Sequence, residues 1–328
     1  MNNFLKKLWV FLILPFLIIF ISDVYLRNKS SLYKEKFNGA RNEAEKIEVL
    51  ILGNSHANYG VDPMAFDDYA YNIANVNQSF YFDKRITLKL LDELENLKYV
   101  LISADYHSLY FSDQGLRNFW AYQGHGIKYK DDGFFLKRLS PTLFGYPPKV
   151  ILSYLKRDFK NIFFYDNKGV DYPVQKGVNI LDTLSQGFIG FKGTDLNSFN
   201  EDQYKARAST FNNKILNSDN DEHIEIQNDL KDLIEKLKQL NIVPILYSTP
   251  TYSEYNEYLD SVSVNKGTET YKKLASEYNI PYWDFMKSDL FNMEYFYDED
   301  HLNKRGAHKF GSILNDSIKK IAKKRYEN

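Results

Sequence analysis

A serine and a distant aspartate–histidine pair are the residues of this chain whose types and settings suggest covalent chemistry. Ser55 follows an apolar run, residues 47–52, in the order Gly-Asn-Ser-His. Near the other end, Asp298 precedes His301 by three residues, in the order Asp-Glu-Asp-His-Leu-Asn. A serine hydroxyl becomes a competent nucleophile when a neutral, correctly oriented imidazole takes its proton. The pattern predicts a hydrolase or an acyltransferase, in which the fold brings the two ends of the chain together.

Two carboxylates compete for the role of orienting His301. Asp298 can accept a hydrogen bond from the ring nitrogen that does not face the serine. Asp300 is the rival, but as the immediate neighbour of the histidine it is expected to turn its side chain away. The predicted catalytic set is therefore Ser55, Asp298 and His301.

These two blocks resemble those of the SGNH (GDSL-like) hydrolase superfamily, whose first block reads Gly-Asp-Ser or a variant and whose last block reads Asp-x-x-His. The resemblance runs from about Ile47 to the C-terminus and leaves out the middle of the chain. It implies an acyl-enzyme on Ser55 and no cofactor. The six histidines show no His-x-His or His-Glu-x-x-His spacing, which predicts no metal site.

The superfamily also implies donors for the oxyanion: the Ser55 backbone N–H, a glycine after the second strand and an asparagine after the third. This chain departs from the last two. Placing Asn72 on the family's usual asparagine puts Asn77 where glycine is usual, and asparagine tolerates a left-handed backbone. His107 falls near the expected second asparagine. Such departures are similar to those of SGNH-like proteins of cell-surface polymer acylation, including alginate acetylation and teichoic-acid D-alanyl transfer proteins.

Strands alternate with helices along the chain, which predicts an α/β fold. The five predicted strands are residues 47–52, 69–74, 99–104, 242–248 and 281–285, and the predicted helices are 83–96, 224–240, 268–278 and 304–322. The fold expected is a doubly wound, three-layer parallel sheet, SGNH- or flavodoxin-like, with its site beyond the carboxyl ends of the strands. Ser55 follows the first strand there, and His301 follows the fifth.

The stretch at about 110–221 is aromatic and rich in glycine and proline, and it breaks the alternation. It is predicted to be a large insertion between the third strand and the next helix. Within it, Arg207 is expected to be a surface charge, with binding of an anionic substrate as the alternative.

Composition narrows the function further. The chain has 328 residues, of which 44% are apolar, enough for one elaborated α/β domain. A formal net charge of −1 gives no basic excess that would indicate nucleic acid. The absence of cysteine excludes thiolate chemistry and disulfides. Aromatic residues reach 16%, which suits a surface that binds sugars, although an AT-rich genome explains the same bias.

The N-terminus predicts a membrane anchor. Lys6 and Lys7 precede an apolar run, residues 8–22, which ends without the small residues of a signal-peptide cleavage site. An uncleaved single-pass helix is therefore expected at 1–26, followed by a stalk at 27–46 and the catalytic domain at 47–328, outside the cytoplasm. The alternative is a buried core helix. It is disfavoured because the run has apolar residues on every face.

Taken together, the resemblance and the anchor predict a membrane-anchored serine O-acyltransferase or carbohydrate esterase. The expected substrate is an acyl group, with acetyl as the first choice, on a cell-surface polysaccharide. The expected partners are a glycan acceptor and a membrane-bound O-acyltransferase that supplies the acyl group. The alternative is a catalytically degenerate SGNH domain that binds a polymer or scaffolds a membrane O-acyltransferase complex. A secreted lipase-like esterase is a third interpretation, which the predicted anchor disfavours.

Overall fold

The computed structural model describes residues 2–28, 31–110, 118–128, 149, 151–152, 155–156, 184–216, 218 and 220–327. The chain forms two compact units. One comprises Met1–Lys34 and Gly115–Pro173, and the other comprises Glu35–Gln114 and Val174–Asn328. Every predicted site residue belongs to the second unit.

The first unit begins with the helix α1 (Asn2–Asn28). Large apolar side chains of α1, among them Trp9 and Phe11, are exposed. In the same unit, the rings of Tyr33 and His125 pack edge to face with their centroids 5.4 Å apart.

The predicted membrane anchor is wrong. Across the described part of the chain, no helix combines the length and the apolar character that crossing a bilayer demands. The apolar stretch of α1 is roughly 15 residues, against the ~20 that a span requires. Lys7 and Asp23 bound that stretch, and Pro15 interrupts its backbone hydrogen bonding. The predicted single-pass localisation is wrong for the same reason.

The second unit is built on a sheet of five parallel strands: β1 (Val49–Leu52), β2 (Ala70–Asn72), β3 (Tyr99–Ser103), β4 (Val243–Ser248) and β5 (Tyr282–Asp284). Their order is β2-β1-β3-β4-β5, and Leu50 of β1 is in register with Tyr71 on one side and Val100 on the other. This is the flavodoxin-like order, which opens a crevice at the carboxyl ends of β1 and β3. The predicted α/β class and the five strands are confirmed.

Helices cover the sheet. Those of the second unit are α2 (Leu32–Asn42, from Glu35 onward), α3 (Ser55–Gly60), α4 (Phe80–Leu90), α6 (Glu201–Leu216), α7 (Asn220–Gln239), α8 (Ser253–Asn256), α9 (Ser261–Tyr278) and α10 (Lys304–Glu327); α5 (Asn118–Gly124) belongs to the first unit. Strands β1, β3 and β4 are buried along their whole length, as expected of a parallel sheet covered on both faces. Helix α7 packs against α4 and β4 through a buried stripe that includes Leu230, Leu233 and Leu237.

Part of the segment predicted as a stalk lies in the core of the second unit. Lys36 of α2 is fully buried, and its Nζ donates to Asn58 Oδ1 and to the Ala74 carbonyl oxygen, both at 2.6 Å. Phe37 beside it is also buried. These contacts tie α2 to α3 and to the loop after β2. Most of the predicted insertion lies outside the described residues, but residues 184–200 and α6 are described.

Candidate active site

The turn from β1 into α3 places Ser55 at the start of the helix. Gly53 has φ 134°, and a Cβ there would lie 2.3 Å from Ser103 Cβ, so a larger residue does not fit. Asn54 caps α3, because its Oδ1 accepts a hydrogen bond from the His56 backbone N–H at 2.8 Å. Ser55 is therefore held by a glycine turn and a helix cap on its N-terminal side.

The far end of α3 is fixed by Asn72, the residue that the resemblance placed on the superfamily's usual asparagine. Its Nδ2 donates to the carbonyl oxygens of Ala57 and Val61, both at 2.8 Å. The Ala57 carbonyl also accepts from the backbone N–H of Val61, the residue that follows α3, at 3.2 Å. The asparagine of the second block thus supports the helix that carries Ser55.

The loop that carries His301 is shaped by two side chains. Asp298 Oδ1 accepts from the backbone N–H groups of Asp300 at 3.2 Å and of His301 at 2.8 Å. Asn303 Oδ1 accepts from the Gly306 backbone N–H at 3.0 Å, which caps α10. The motif Asp-x-x-His-Leu-Asn-x-x-Gly therefore encodes a loop and a helix start as well as the histidine.

The fold brings the three predicted catalytic residues together. His301 Nε2 lies 3.0 Å from Ser55 Oγ. His301 Nδ1 lies 2.9 Å and 3.1 Å from the two carboxylate oxygens of Asp298. His301 is buried, and Ser55 is 9% exposed. This geometry allows a proton to move from the serine to the imidazole while Asp298 holds the ring.

Asp300 also faces His301, and the expectation that it turns away is wrong. Its Oδ1 lies 2.9 Å from His301 Nδ1, while its Oδ2 accepts from Arg207 Nε at 2.8 Å. His56 Nε2 lies 3.6 Å from the same Oδ2. These cationic groups draw the buried carboxylate inward. Asp298 alone has the alignment of a hydrogen bond to the ring, so it remains the orienting residue.

The two carboxylates set the protonation of His301. Burial lowers the pKa of His301, but Asp298 and Asp300 outweigh that effect and raise it to about 10. Burial raises the pKa of Asp300, because it disfavours the charged carboxylate. Arg207 and His301 outweigh that effect and bring the pKa of Asp300 well below its usual range. The imidazole is therefore protonated at neutral pH in the resting site, and the neutral, basic form grows as pH rises.

His56 lies between two buried carboxylates. Its Nδ1 is 3.4 Å from Asp105 Oδ1, and its Nε2 faces Asp300. Burial lowers the pKa of His56, but the two carboxylates raise it to about 8. Asp105 also accepts from Ser103 Oγ at 2.6 Å and from Thr249 Oγ1 at 2.8 Å. This cluster connects the ends of β3 and β4 to the start of α3.

A cavity of about 160 Å³ opens at Ser55, and both predicted oxyanion residues line it. Asn77 has φ 59°, the left-handed backbone that the sequence suggested. Burial and the nearby His56 cation lower the pKa of His107 to about 3, so its ring is neutral. Its Nε2 lies 3.2 Å from the Asn54 amide nitrogen, a donor, which places the ring proton on Nδ1. That Asn77 and His107 donate hydrogen bonds to an oxyanion stays a prediction.

Two groups of three buried side chains have the donor atoms to hold a metal ion: His56, Asp105 and His107, and His56, Asp300 and His301. Histidines that are scattered along the chain thus converge in the fold, which motif spacing did not reveal. In the second group, however, the two nitrogens of His301 already face Asp298 and Ser55. A metal ion there would displace the serine–histidine–aspartate contacts.

Several residues of the site were missed or given a structural role from the sequence. Asp105 carried a usable signal, since it follows β3 at the carboxyl end of the sheet. Arg207 was noted only as a surface charge or an anion site, and Phe191 carried no signal, because both lie in the stretch that breaks the alternation of strands and helices. Phe191 is buried, stacks on Tyr297 at 3.9 Å between ring centroids, and lies 5.9 Å from the His301 ring.

Comparison with known proteins adds little to this geometry. No protein-family model matches the chain, and no curated protein matches it. Among solved structures, a putative lipolytic protein of the G-D-S-L family from Desulfitobacterium hafniense DCB-2 is similar at 12% identity and a TM-score of 0.37, over 82% of this chain and 98% of that one. A lipase/acylhydrolase from Enterococcus faecalis is similar at 10% identity and a TM-score of 0.37, over 83% and 96%. Likeness at this level carries no argument about activity or substrate.

Proposed function

We propose that the protein is a serine acyl-ester hydrolase. The observation that carries the proposal is the 3.0 Å contact between Ser55 Oγ and His301 Nε2, with Asp298 on the opposite ring nitrogen. Nucleophile, base and orienting carboxylate within hydrogen-bond reach of one another are the requirements of covalent acyl transfer.

The reaction follows from these positions. Neutral His301, oriented by Asp298, takes the proton of Ser55 as Oγ attacks the ester carbonyl. The proposed donors to the oxyanion are the backbone N–H groups of Ser55 and Asn77 and the ring N–H of His107. The ester C–O bond then breaks, the alcohol leaves with the proton from His301, and the acyl group stays on Ser55. Water, deprotonated by His301, then attacks the acyl carbon; the bond between that carbon and Oγ breaks, Ser55 regains its proton from His301, and the carboxylic acid leaves.

The size of the cavity supports a small acyl group. At about 160 Å³ it is smaller than the roughly 300–1,000 Å³ of sites that enclose drug-sized ligands. An acetyl ester fits this limit, and an O-acetyl group on a carbohydrate is the proposed substrate class. If a carbohydrate hydroxyl replaces water in the second step, the same acyl-enzyme makes the protein an O-acyltransferase, since both reactions share the first half.

The binding-only alternative has no observation in its favour. A domain that merely held a polymer would need neither a buried histidine against a serine nor a carboxylate on its far nitrogen. Both contacts are present in this chain. The enzymatic interpretation accounts for them directly.

The proposal is tested with the purified full-length chain and an activated acetyl ester, 4-nitrophenyl acetate. We expect turnover, and mass spectrometry of a rapidly quenched sample should find one acetyl group on the peptide that contains Ser55. Ser55→Ala should abolish both signals. Ser253→Ala, a change at an exposed serine of α8, is the matched control and should retain both. An acetyl adduct that persists in Ser55→Ala would refute the assignment.

A further inference from the structure

We propose that the cavity beside Ser55 selects esters that carry a negative charge, a carboxylate or a phosphate, close to the scissile carbonyl, and that Arg207 is the residue that recognises it. This inference rests on the proposed ester hydrolysis and adds a substrate class to it. The sequence left Arg207 as a surface charge or an anion site, and its surroundings decide between the two.

The first step is the charge of the cavity wall. Eleven described residues line it, among them Ser55, Asn77 and His107. Two of the eleven, Arg207 and Lys214, are cationic, and no carboxylate is among them. Both cations come from α6, so one side of the cavity is basic while the other side holds the nucleophile. A wall of this composition attracts an anion and repels a cation.

The second step is that Arg207 is held in place before any ligand arrives. Its Nε donates to Asp300 Oδ2 at 2.8 Å, and its guanidinium lies 5.1 Å from the centre of the Phe211 ring. Phe211 in turn packs on His107, with ring centroids 4.7 Å apart. Because the guanidinium does not have to be ordered on binding, less entropy is lost when it binds an anion.

The third step is that Arg207 retains donors for a ligand. A guanidinium has five N–H groups, and Asp300 accepts from the one on Nε. The side chain is 31% exposed and lines the cavity, whereas Asp300 is buried behind it and does not. Asp300 also lies against His301, so its charge is shared between the two cations. The planar fork of arginine matches both carboxylate and phosphate oxygens.

The small cavity fixes where the anion must be. With about 160 Å³ between the basic wall and Ser55, the charged group lies within a few bonds of the ester carbonyl. The charge can be on the acyl part or on the alcohol part, and the recognition chemistry is the same. The bonds made and broken are those of the proposed hydrolysis, and the anion takes no part in them.

Matched ester pairs test the inference. On the alcohol side, 4-acetoxybenzoate and 4-acetoxyphenyl phosphate are compared with neutral methyl 4-acetoxybenzoate. On the acyl side, 4-nitrophenyl hemisuccinate is compared with 4-nitrophenyl butyrate. We expect kcat/KM of the wild-type chain to favour the anionic member of at least one pair by about ten- to a hundredfold, the range of a charge-assisted hydrogen bond. The ratio within a pair is independent of the protonation of His301, since both esters meet the same enzyme.

Substitutions assign the preference to residues. Arg207→Gln keeps an amide donor for Asp300 but removes the charge, and it should bring the ratio close to one. Lys214→Met should reduce the ratio by a smaller factor. The control is Lys205→Met on the same helix, where Lys205 is exposed and paired with Glu201; its ratio should equal that of the wild type. An anionic preference that survives both Arg207→Gln and Lys214→Met would overturn the assignment.

A binding measurement separates this inference from the proposed hydrolysis. Calorimetry with Ser55→Ala compares 4-hydroxybenzoate, phenyl phosphate and succinate with neutral 4-hydroxybenzamide. Absence of turnover with every ester, alongside anion binding that Arg207→Gln abolishes, would refute the hydrolase and support the anion site. Equal turnover within all pairs and no preferential anion binding would overturn the anion site and leave the hydrolase standing.

Discussion

The carboxylate of Asp300 lies 2.9 Å from Nδ1 of His301, the residue that follows it in the chain. Asp298 approaches the same nitrogen at the same distance. The proposed catalytic histidine is thus flanked by two negative charges, where a serine triad needs one. The consequence is electrostatic, because a second carboxylate stabilises the imidazolium and makes the base stronger but less often free of its proton.

Asp300→Asn should shift the pH profile of the reaction. Two carboxylates raise the pKa of His301 to about 10, so kcat/KM of the wild type should rise with pH well above the usual 6.5 of histidine. Removing one negative charge lowers the pKa of the imidazolium, so the inflection should move to lower pH. The measurement is kcat/KM against pH with methyl 4-acetoxybenzoate, corrected for the Ser55→Ala background.

The control for this change is Asp289→Asn, which removes an exposed carboxylate elsewhere in the second unit and should leave the inflection where it is. An inflection that stays unchanged in Asp300→Asn, or that moves to higher pH, would show that Asp300 does not act on the His301 ring.

Asp298→Asn should reduce kcat at every pH. The amide can no longer accept the Nδ1 proton with both oxygens, and its own N–H groups favour the wrong tautomer of His301. In a serine protease triad the same substitution costs on the order of 10⁴ in kcat. We expect a loss of several orders of magnitude here, which raising the pH does not restore. Losses that match those of Asp300→Asn across the pH range would contradict Asp298 as the orienting residue.

His56 should make the stability of the fold depend on pH. Its pKa is raised from 6.5 to about 8 by Asp105 and Asp300, so its contribution is fully present below pH 6.5 and is lost as pH rises through about 8. The shift corresponds to roughly 2 kcal/mol in the free energy of unfolding. His56→Gln should remove this contribution from urea unfolding measured across that window, while the decline that the raised pKa of His301 produces up to about pH 10 should remain. His308→Gln, at an exposed histidine paired with Asp62, should retain it.

Much of the fold follows from the sequence, and the reason is local. Strands β1, β3 and β4 are apolar runs bounded by polar residues, and a fully buried parallel strand must have that composition. Once the strands are parallel, their carboxyl ends meet at one edge. Ser55 and His301 could therefore be paired from their positions after the first and fifth strands alone.

The parts that were not predicted depend on contacts between distant residues. Asp300 turns inward because Arg207 meets it from a helix 93 residues earlier, in a segment with no periodic pattern. The anchor was inferred from an apolar run of roughly 15 residues without weighing Pro15, which interrupts it. For Asp300 a distant residue decides the structure, whereas for the anchor the length of the run and the proline within it do.

Asp83 should destabilise the fold at high pH, and Asp83→Asn should relieve this. Asp83 is buried on α4, where its Oδ1 accepts from Gln78 Nε2 at 2.7 Å. Burial raises its pKa to about 7, although hydrogen bonds from Gln78 and from the Gly53 backbone lower it. The folded state therefore favours the protonated carboxyl, and the free energy of unfolding should fall as pH rises from 3.8 to about 7.

Asparagine retains an acceptor oxygen for Gln78 and carries no charge at any pH. Asp83→Asn should therefore be more stable than the wild type above pH 7, by on the order of a few kcal/mol, and the difference should vanish toward acid pH. Gly53 and Gln78 flank the serine turn and the cavity, so esterase activity should survive in Asp83→Asn and decline in Asp83→Ala. Chemical unfolding of both variants, with exposed Asp92→Asn as the control, decides the matter. A variant less stable than the wild type above pH 7 would mean that the ionised carboxylate, and not the neutral one, supports the loop.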